Sequence, residues 1–502
     1  MSLSTAYNII SSAFVSTAAQ SAVISSNISN ANTTGYNRQI ANVVTNAYGG
    51  SDVLSVTREA NSALLEQVNA STSAAAAQQA LATGLATLAQ TVSDSSSSTS
   101  TSGADQNGNS PSAMLANLQG VLATYESAPS STAAGQAVVT AATQLAQSLN
   151  TGSSTVQQVR EQADAGMASS VTTVNSLLGQ FAAADATVVT GTAVGTNVSA
   201  AEDTRDSILT QLSQQLGIST TTNPNGSISI YTDSGVNLYQ SNTVADLQFT
   251  PSPTLTAGMS GNSVTVGGVA ITGPSAPMAI QTGALAGLST LRDTVAPEYG
   301  AQLDQIADGV INAFAETDQS TTNTGLPSLP GLFTSAGATS LPSATSVTGL
   351  AGQIEVNPAV DPSQGGNVSL LQNGGINGAN YIYNTTGDAG FSGRIQDMVS
   401  AMSTSQSFAS SAGLGTSATL SDYADSSVSW LQGQNQQASN AADFQNSLVT
   451  QATAALSNAT GVNLDTEMTN MLSIENTYTT TAKLLTTVDD MFNALLSATN
   501  GG

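Results

Sequence analysis

The sequence predicts a mainly α fold with inserted β: long terminal and coiled-coil-like helices forming discontinuous domains, plus one or two small β-rich domains. Three observations predict it. Apolar residues recur at helical spacing at both extremes of the chain. The patterns run helix-rich, β, helix, irregular, helix-rich, so the chain leaves a helical body, makes excursions and returns to it. Charged residues make up 8% of the chain and hydrophobic residues 40%. Against about 25% charged residues in ordinary soluble domains, this leaves apolar packing rather than ion pairing as the organising force.

The N-terminal stripe is Leu3, Tyr7, Ile10, Phe14, Thr17, Ser21, Ile24 and Ile28, whose spacing alternates between four and three residues, a heptad-like pattern. Turn formers from Asn30 to Gly35 end it, and Val43 to Val56 alternates loosely as an extended segment would. Helical patterns follow over about Asn61–Val92, Pro111–Tyr125, Ala133–Leu149, Ser154–Val189 and Ala200–Leu216. Ser93–Gly103 reads as a Ser/Thr-rich loop. Acidic residues Glu202 and Asp203 suit the opening turn of the last of these helices. Asn223-Pro224-Asn225-Gly226 then signals a turn, and the strands beyond it read as a hairpin with short additions to about Gly273. Leu285–Phe314 returns to helix, Gly325–Gly393 is rich in Gly, Pro and Asn, and Arg394–Leu496 is helical with breaks near Gly413 and Gly461.

The C-terminal stripe is Leu464, Met468, Met471, Tyr478, Ala482, Leu485, Phe492 and Leu496. The expected units are therefore an N-terminal helix and motif that pair with the C-terminus (1–50), a first helical part (51–220), a β-rich insertion (221–284), a returning helix (285–324), an irregular insertion with some β (325–395), a second helical part (396–460) and a C-terminal helix (461–502). One helix pair makes a poor case for independent stability, so both terminal segments are expected to be largely disordered in the monomer and to order on assembly.

Composition removes whole classes of function. There is no Cys and no His, which eliminates thiolate and imidazole metal sites and Cys–His or Ser–His catalysis. Lys+Arg total 7 against 32 Asp+Glu, a net charge of −25. Such a chain repels nucleic acid and anionic membranes. The start lacks the basic region of a secretory signal, and no 18 apolar residues run together, so neither a cleaved signal peptide nor membrane insertion is expected. The Gly-Gly pairs lack phosphate-loop spacing. No catalytic constellation emerges, and no enzyme activity, cofactor or metal is expected.

Individual residues carry smaller expectations. Gly35 supplies either a positive-φ turn or a close backbone approach. Asn27 and Asn30 cap or bridge backbone. Arg38, the first cation of an acidic chain, invites a carboxylate within or between chains. Arg205 with Asp203 and Asp206, and Arg292 with Asp293, read as local helix pairs. Asp489 and Asp490, near a helix C-terminus where the dipole disfavours acid, hint at Arg38 or Lys483 of another chain.

Asn27, Asn30, Thr33 or Thr34, Gly35 and Tyr36 resemble the N-terminal motif of the flagellar rod, hook and hook-associated axial proteins. Val462 to Asp465, Glu467-Met468, Tyr478, Ala482-Lys483 and Thr487 to Met491 resemble that family's C-terminal motif. Within the family, Tyr36-Asn37-Arg38-Gln39, Gly461 to Asp465, Asp203 to Asp206 with Leu209 and Leu212, and Gly283 to Leu288 with Leu291-Arg292-Asp293 are similar to the hook-associated protein 1 group. Residues 325–395 match no motif of it. The resemblance implies a structural part of the bacterial flagellum at the hook–filament junction, exported by the flagellar type III route and lying outside the cell. It implies a ring-like homo-oligomer built through the terminal helices and contacting hook protein and hook-associated protein 3. It also implies an export chaperone on the C-terminal helix. The implied interface residues are Leu3, Tyr7, Ile10, Phe14, Ile24, Asn27, Ile28, Asn30, Gly35, Tyr36, Arg38, Leu464, Met468, Met471, Tyr478, Leu485, Phe492 and Leu496. The competing readings are a hook or rod protein, an acidic Ser/Thr-rich surface adhesin and a carboxylate-dependent glycoside hydrolase. The single Trp430 speaks against a sugar-stacking groove in the last of these.

Overall fold

A computed structural model describes residues 3–94, 108–320, 325–343 and 347–500; most of the Ser/Thr-rich run at 93–103 lies outside them. The chain opens with helix α1 (Leu3–Asn30), an antiparallel hairpin of β1 (Gln39–Thr45) and β2 (Ser51–Arg58), and α2 (Ser62–Ala89). The hairpin spans residue 50, so the first boundary expected from sequence falls inside one supersecondary unit. Helices α3 (Pro111–Ser127), α4 (Thr132–Val194) and α5 (Ser199–Gln215) follow.

Helix α4 is the axis of the body. The sequence predicts two helices here, because Asn150 to Ser153 carries breaker residues, yet one 63-residue helix runs through. Tertiary contacts explain the difference. Gly152 faces Leu303 so closely that a Cβ would stand 2.8 Å from Cδ1 of that leucine. The Asn150 side chain donates to the carbonyls of Ala351 and Ile354 at 2.8 and 3.2 Å. The helix begins under a Ser131 cap and stops at Gly195 in the left-handed conformation, as capping rules require.

The β excursion comprises β3 (Ile218–Thr222), β4 (Ile228–Thr232), β5 (Asn237–Gln240) and β6 (Thr243–Val244) in one antiparallel sheet ordered by sequence. A second, three-stranded sheet holds β7 (Leu247–Gln248), β8 (Thr265–Val266) and β9 (Val269–Ala270). The predicted turn at 223–226 joins β3 to β4, with Gly226 at φ +81°. Helix α6 (Ala284–Thr290) runs through one π turn (Leu291–Val295) into α7 (Ala296–Ala313). The second excursion contributes a small strand pair, β10 (Phe333–Ser335) and β11 (Ile354–Val356), and helix α8 (Leu370–Asn373). Helix α9 (Gly393–Ser403), the strand pair β12 (Gln406–Ser407) and β13 (Ser417–Ala418), α10 (Leu420–Thr460) and α11 (Leu464–Asn500) complete the chain.

Two apolar cores form on α4. Its first half packs with α2, α3, α7, α9, α10 and the 325–395 excursion around Leu145, Leu149, Leu303, Phe314 and Phe333. Its second half packs with α5, α6 and the two sheets around Phe181, Leu212, Ile230 and Tyr239. By length and hydropathy alone α1 and α4 are long and apolar enough to cross a bilayer, a point the residue runs did not reveal. Helix α4 belongs to both cores, and α1 lies along α11.

The chain's few cations are concentrated at joints. Arg160 and Arg292 are buried where the two cores meet. Arg292 pairs with Asp164 of α4 and with Asp293, and Arg160 donates to the carbonyls of Arg292, Thr256 and Met259. Arg394 donates to the carbonyls of Phe314 and Ala315 and lies 4.7 Å over the Tyr383 ring. The local pairing expected for Arg205 is replaced by a longer reach. Its guanidinium meets Asp185 of α4 at 2.9 Å and the Gly226 carbonyl at 2.7 Å, and Asp185 also accepts from the Tyr239 hydroxyl. Burial of both partners favours this geometry, because a desolvated carboxylate needs every donor it can gather. Asp203 and Asp206 instead face Arg58.

Candidate assembly interface at the paired termini

Helices α1 and α11 lie antiparallel. Phe14 stacks at a tilt on Tyr478 with ring centroids 4.4 Å apart, Ser21 reaches the Met471 sulfur, and Asn27 reaches Glu467. Helix α11 starts after Gly461, where the Asn463 side chain accepts from the Thr466 backbone and caps the first turn. Asp465 and Glu467 in that turn complement the helix dipole.

The node at the base of the pair is polar and buried. Asn27 and Glu467 are each 1% exposed. The Asn27 amide donates to Glu467 at 3.1 Å and to the Gln39 carbonyl at 2.9 Å. Its oxygen accepts from the Tyr36 hydroxyl and the Gln39 backbone, both at 2.9 Å. All four hydrogen-bonding positions of this amide are thus filled. Arg38 donates through Nε to Glu467 at 2.6 Å and lies 3.5 Å from Glu59. The hydrogen bond to Glu467, outweighing partial burial, holds its guanidinium more firmly protonated. Burial pushes the Tyr36 phenol up. The Arg38 backbone donates to the Thr460 carbonyl and accepts from Glu59. The first helix, the hairpin, the end of α10 and the start of α11 are therefore tied at one point.

Gly35 resolves one open alternative. Its φ is +80° and nothing lies within 4 Å of where a Cβ would sit. It serves the turn and not a close approach. Asn30 donates to the Ser26 carbonyl and accepts from Thr33, closing the helix end.

The predicted stripes split between two faces. Ile24 and Asn27 are buried, and Leu3, Ile10, Phe14, Ile28, Met471 and Leu485 are half-buried. Tyr7, Leu464, Met468, Tyr478, Phe492 and Leu496 are exposed, although Tyr478 keeps its contact with Phe14. The buried positions of α11 are Glu467, Thr481 and Val488, with Ile474 partly covered between them. Sequence reasoning centred its stripe one position away because it followed the large apolar residues. The true inner seam repeats every seven residues through Glu467, Ile474, Thr481 and Val488, and its two polar members are what hydropathy does not find. From Asp489 to Ser497 every side chain is exposed, including Met491, Phe492, Leu495 and Leu496. Val15 and Leu472 are exposed elsewhere on the helix pair. Contiguous exposed apolar surface of this kind marks interaction sites. Asp489 and Asp490 lie in it, while Arg38 is taken by Glu467. No group of His, Cys, Asp and Glu able to hold a metal occurs among the described residues.

Residues 104–325 match the family model of the flagellar hook-associated protein FlgK helical domain, and residues 455–498 match that of the flagellar basal body rod FlgEFG protein C-terminal region. The second match covers nearly all of α11. No curated protein matches the chain. A similar solved structure is the flagellar hook junction protein FlgK from Burkholderia pseudomallei, at 21% identity and a TM-score of 0.42. That similarity covers 54% of this chain and 47% of that one, so the chain spans less than half the length of that structure. The two family models define the class, a structural protein of the flagellar axial apparatus. Within that class, residues 104–325 are similar to the helical domain of the flagellar hook-associated protein FlgK.

Proposed function

We propose that this chain is a non-enzymatic structural subunit of the bacterial flagellum that forms the junction between hook and filament. The observation that carries the reading is the exposed apolar strip on a polar-seamed terminal helix pair, attached to a FlgK-type helical domain. A helix pair that leaves Met468, Leu472, Met491, Phe492 and Leu495 in water gains most of its burial from neighbours. A ring of copies supplies those neighbours, with hook protein on one side and hook-associated protein 3 on the other. Before assembly the same strip needs cover, and a type III export chaperone on α11 provides it. The two faces then divide the labour: the inner seam holds the pair in register and the outer strip binds the next subunit. The node of Asn27, Arg38 and Glu467 keeps both termini at one point of the ring.

Electron microscopy of cells lacking this chain, with the medium probed for flagellin, tests the reading. Bare hooks with flagellin lost to the medium are the expected result. Missing hooks would transfer the chain to a rod or hook role. Normal filaments would overturn the flagellar reading altogether.

A further inference from the structure

The terminal unit of α1, the hairpin and α11 is joined to the body by two short connections, residues 59–61 and 461–463. One side-chain cluster bridges the hairpin back to α5. Arg58, at the last position of β2, donates through Nε to Glu202 at 2.9 Å and through Nη1 to Asp203 at 2.9 Å and Asp206 at 2.5 Å. Asn37, at the entry to the hairpin, adds two bonds to Asp203, from its side chain at 2.7 Å and its backbone at 3.4 Å. The Arg58 side chain is 9% exposed, and those of Glu202, Asp203 and Asp206 are 27%, 13% and 17% exposed. Three carboxylates within one helical turn and a half therefore share a single guanidinium.

The imbalance decides what the cluster can do. With Arg58 in place, each acid has an opposite charge within hydrogen-bond reach, and a planar guanidinium can serve several carboxylates at once. Without it, three like charges face one another in a partly desolvated pocket, and only the two Asn37 bonds to Asp203 remain to hold the hairpin there. Burial pulls the Arg58 guanidinium down, and the carboxylates led by Asp206 outweigh that pull. The Arg58 side chain belongs to neither apolar core. Its loss removes an attachment and not a packing element.

We propose that Arg58 is a positioning residue: a one-to-three ionic latch on Glu202, Asp203 and Asp206 that fixes the angle at which the terminal helix pair leaves the helical body. The latch is a property of the single chain and holds whether or not the chain sits in a flagellum. In an assembly it would turn a loosely hinged pair of helices into a subunit of defined tilt.

The natural absence of cysteine allows a direct test. Spin labels on Leu54→Cys at the exposed face of β2 and Ser207→Cys on the exposed side of α5 report the hairpin–α5 distance in the purified full-length chain by pulsed electron resonance. The expected result is one narrow distance distribution that becomes broader and longer in Arg58→Gln, with the thermal transition of the helical body in place. The triple substitution Glu202→Gln, Asp203→Asn, Asp206→Asn leaves Arg58 without ionic partners and is expected to broaden the distribution likewise. An unchanged narrow distribution in Arg58→Gln would overturn the latch. So would broadening in Arg58→Gln with none in the triple variant, because Arg58 would then act through something other than the carboxylates. Should Arg58→Gln not fold, the triple variant alone decides, a narrow distribution overturning the latch.

Discussion

Helices α4 and α1 are both long and poor in charge, yet they solve the burial problem in opposite ways. Helix α4 buries 23 of its 63 residues against two cores of its own chain, and all but Arg160, Asp164, Ser170 and Asp185 are apolar or glycine. Helix α1 buries four of 28, and these are Ser16, Thr17, Ile24 and Asn27. Its partner α11 buries only Glu467, Thr481 and Val488 among residues 464–498. The body has apolar residues inside and polar ones outside. The terminal pair buries hydroxyls, an amide and a carboxylate beside Ile24 and Val488, and leaves Met468, Leu472, Met491, Phe492 and Leu495 exposed. Hydrophobic surface buried on folding stabilises the chain that buries it, so the body is built to stand alone. The pair is built to be finished by something else. Each prediction below alters one side of this contrast, taken in order of its effect on the stability of the isolated chain.

The largest effect belongs to the body. Leu303 is fully buried against Gly152 on α4. Truncating it leaves a cavity that the long rigid helix cannot close. Leu303→Ala is expected to lower the stability of the body by about 3 kcal/mol, read as a fall in its denaturant midpoint. A shift no larger than that of a surface variant would mean the cores are not what holds the body.

An intermediate effect comes from pH. Asp304, 5% exposed, accepts from the backbones of Gly349 and Ala351. Burial, partly countered by those two bonds, pushes its carboxyl up from 3.8 to about 6. The folded state therefore holds this proton more tightly than the unfolded chain does. Asp304's contribution is fully present below pH 3.8 and is lost as pH rises through about 6. Acidification from neutrality toward pH 4 thus adds stability through this group, by up to about 3 kcal/mol. Asp304→Asn should flatten that part of the stability–pH curve. An identical curve for the variant would remove Asp304 from the account.

The polar node is next. Glu467→Gln removes the charge that Arg38 and Asn27 share, and Asn27→Ala empties four hydrogen-bonding positions at once. Leaving such buried groups unpaired costs about 1–3 kcal/mol. The loss should be confined to the termini. Where the termini are ordered, hydrogen exchange would rise in residues 4–28 and 465–495 and stay unchanged in α4. An equal rise in α4 would show that the termini and body unfold as one unit, which would erase the contrast drawn above. The same measurement on the unaltered chain tests the expectation that the termini order only on assembly. Strong protection there in the monomer would defeat it.

How far the sequence alone reveals this arrangement follows the same division. The helical body, the turn at 223–226 and the return from each excursion are legible because apolar periodicity and turn chemistry are local signals. The continuity of α4 through Asn150 to Ser153 was not, since Leu303, Ala351 and Ile354 that sustain it lie more than 150 residues away. The terminal motifs are legible as a pattern, and the structure joins Asn27, Tyr36 and Arg38 through Glu467 and one another. Their partner Glu467 does not stand out in the sequence, because an acid near a helix start already has a sufficient local explanation in the dipole. The seam of α11 is only partly legible for a related reason: hydropathy ranks Met468 above Glu467 and Ala482 above Thr481, whereas the seam buries Glu467 and Thr481 along with Val488. Arg58 was passed over because its three partners are about 145 residues distant.

The smallest effect on the isolated chain is expected where the consequence for assembly is greatest. Met491, Phe492 and Leu495 are 54%, 44% and 57% exposed near the end of α11. Replacing all three by Ser removes side chains that the monomer hardly uses, so its stability should move by no more than about 0.5 kcal/mol. In a ring the same side chains would be covered, and fully burying three residues of this size contributes about 1.5–3 kcal/mol each. The triple variant should therefore melt as the parent does and yet fail to enter assemblies, as read by sedimentation of the purified chain and by microscopy of complemented cells. If the variant assembles normally, the outward strip is not the subunit contact, and the exposed apolar face of α11 must serve another step such as chaperone capture. If instead the monomer itself is destabilised, α11 is more deeply integrated into the single chain than its burial indicates, and the division between a self-sufficient body and an unfinished terminal pair fails.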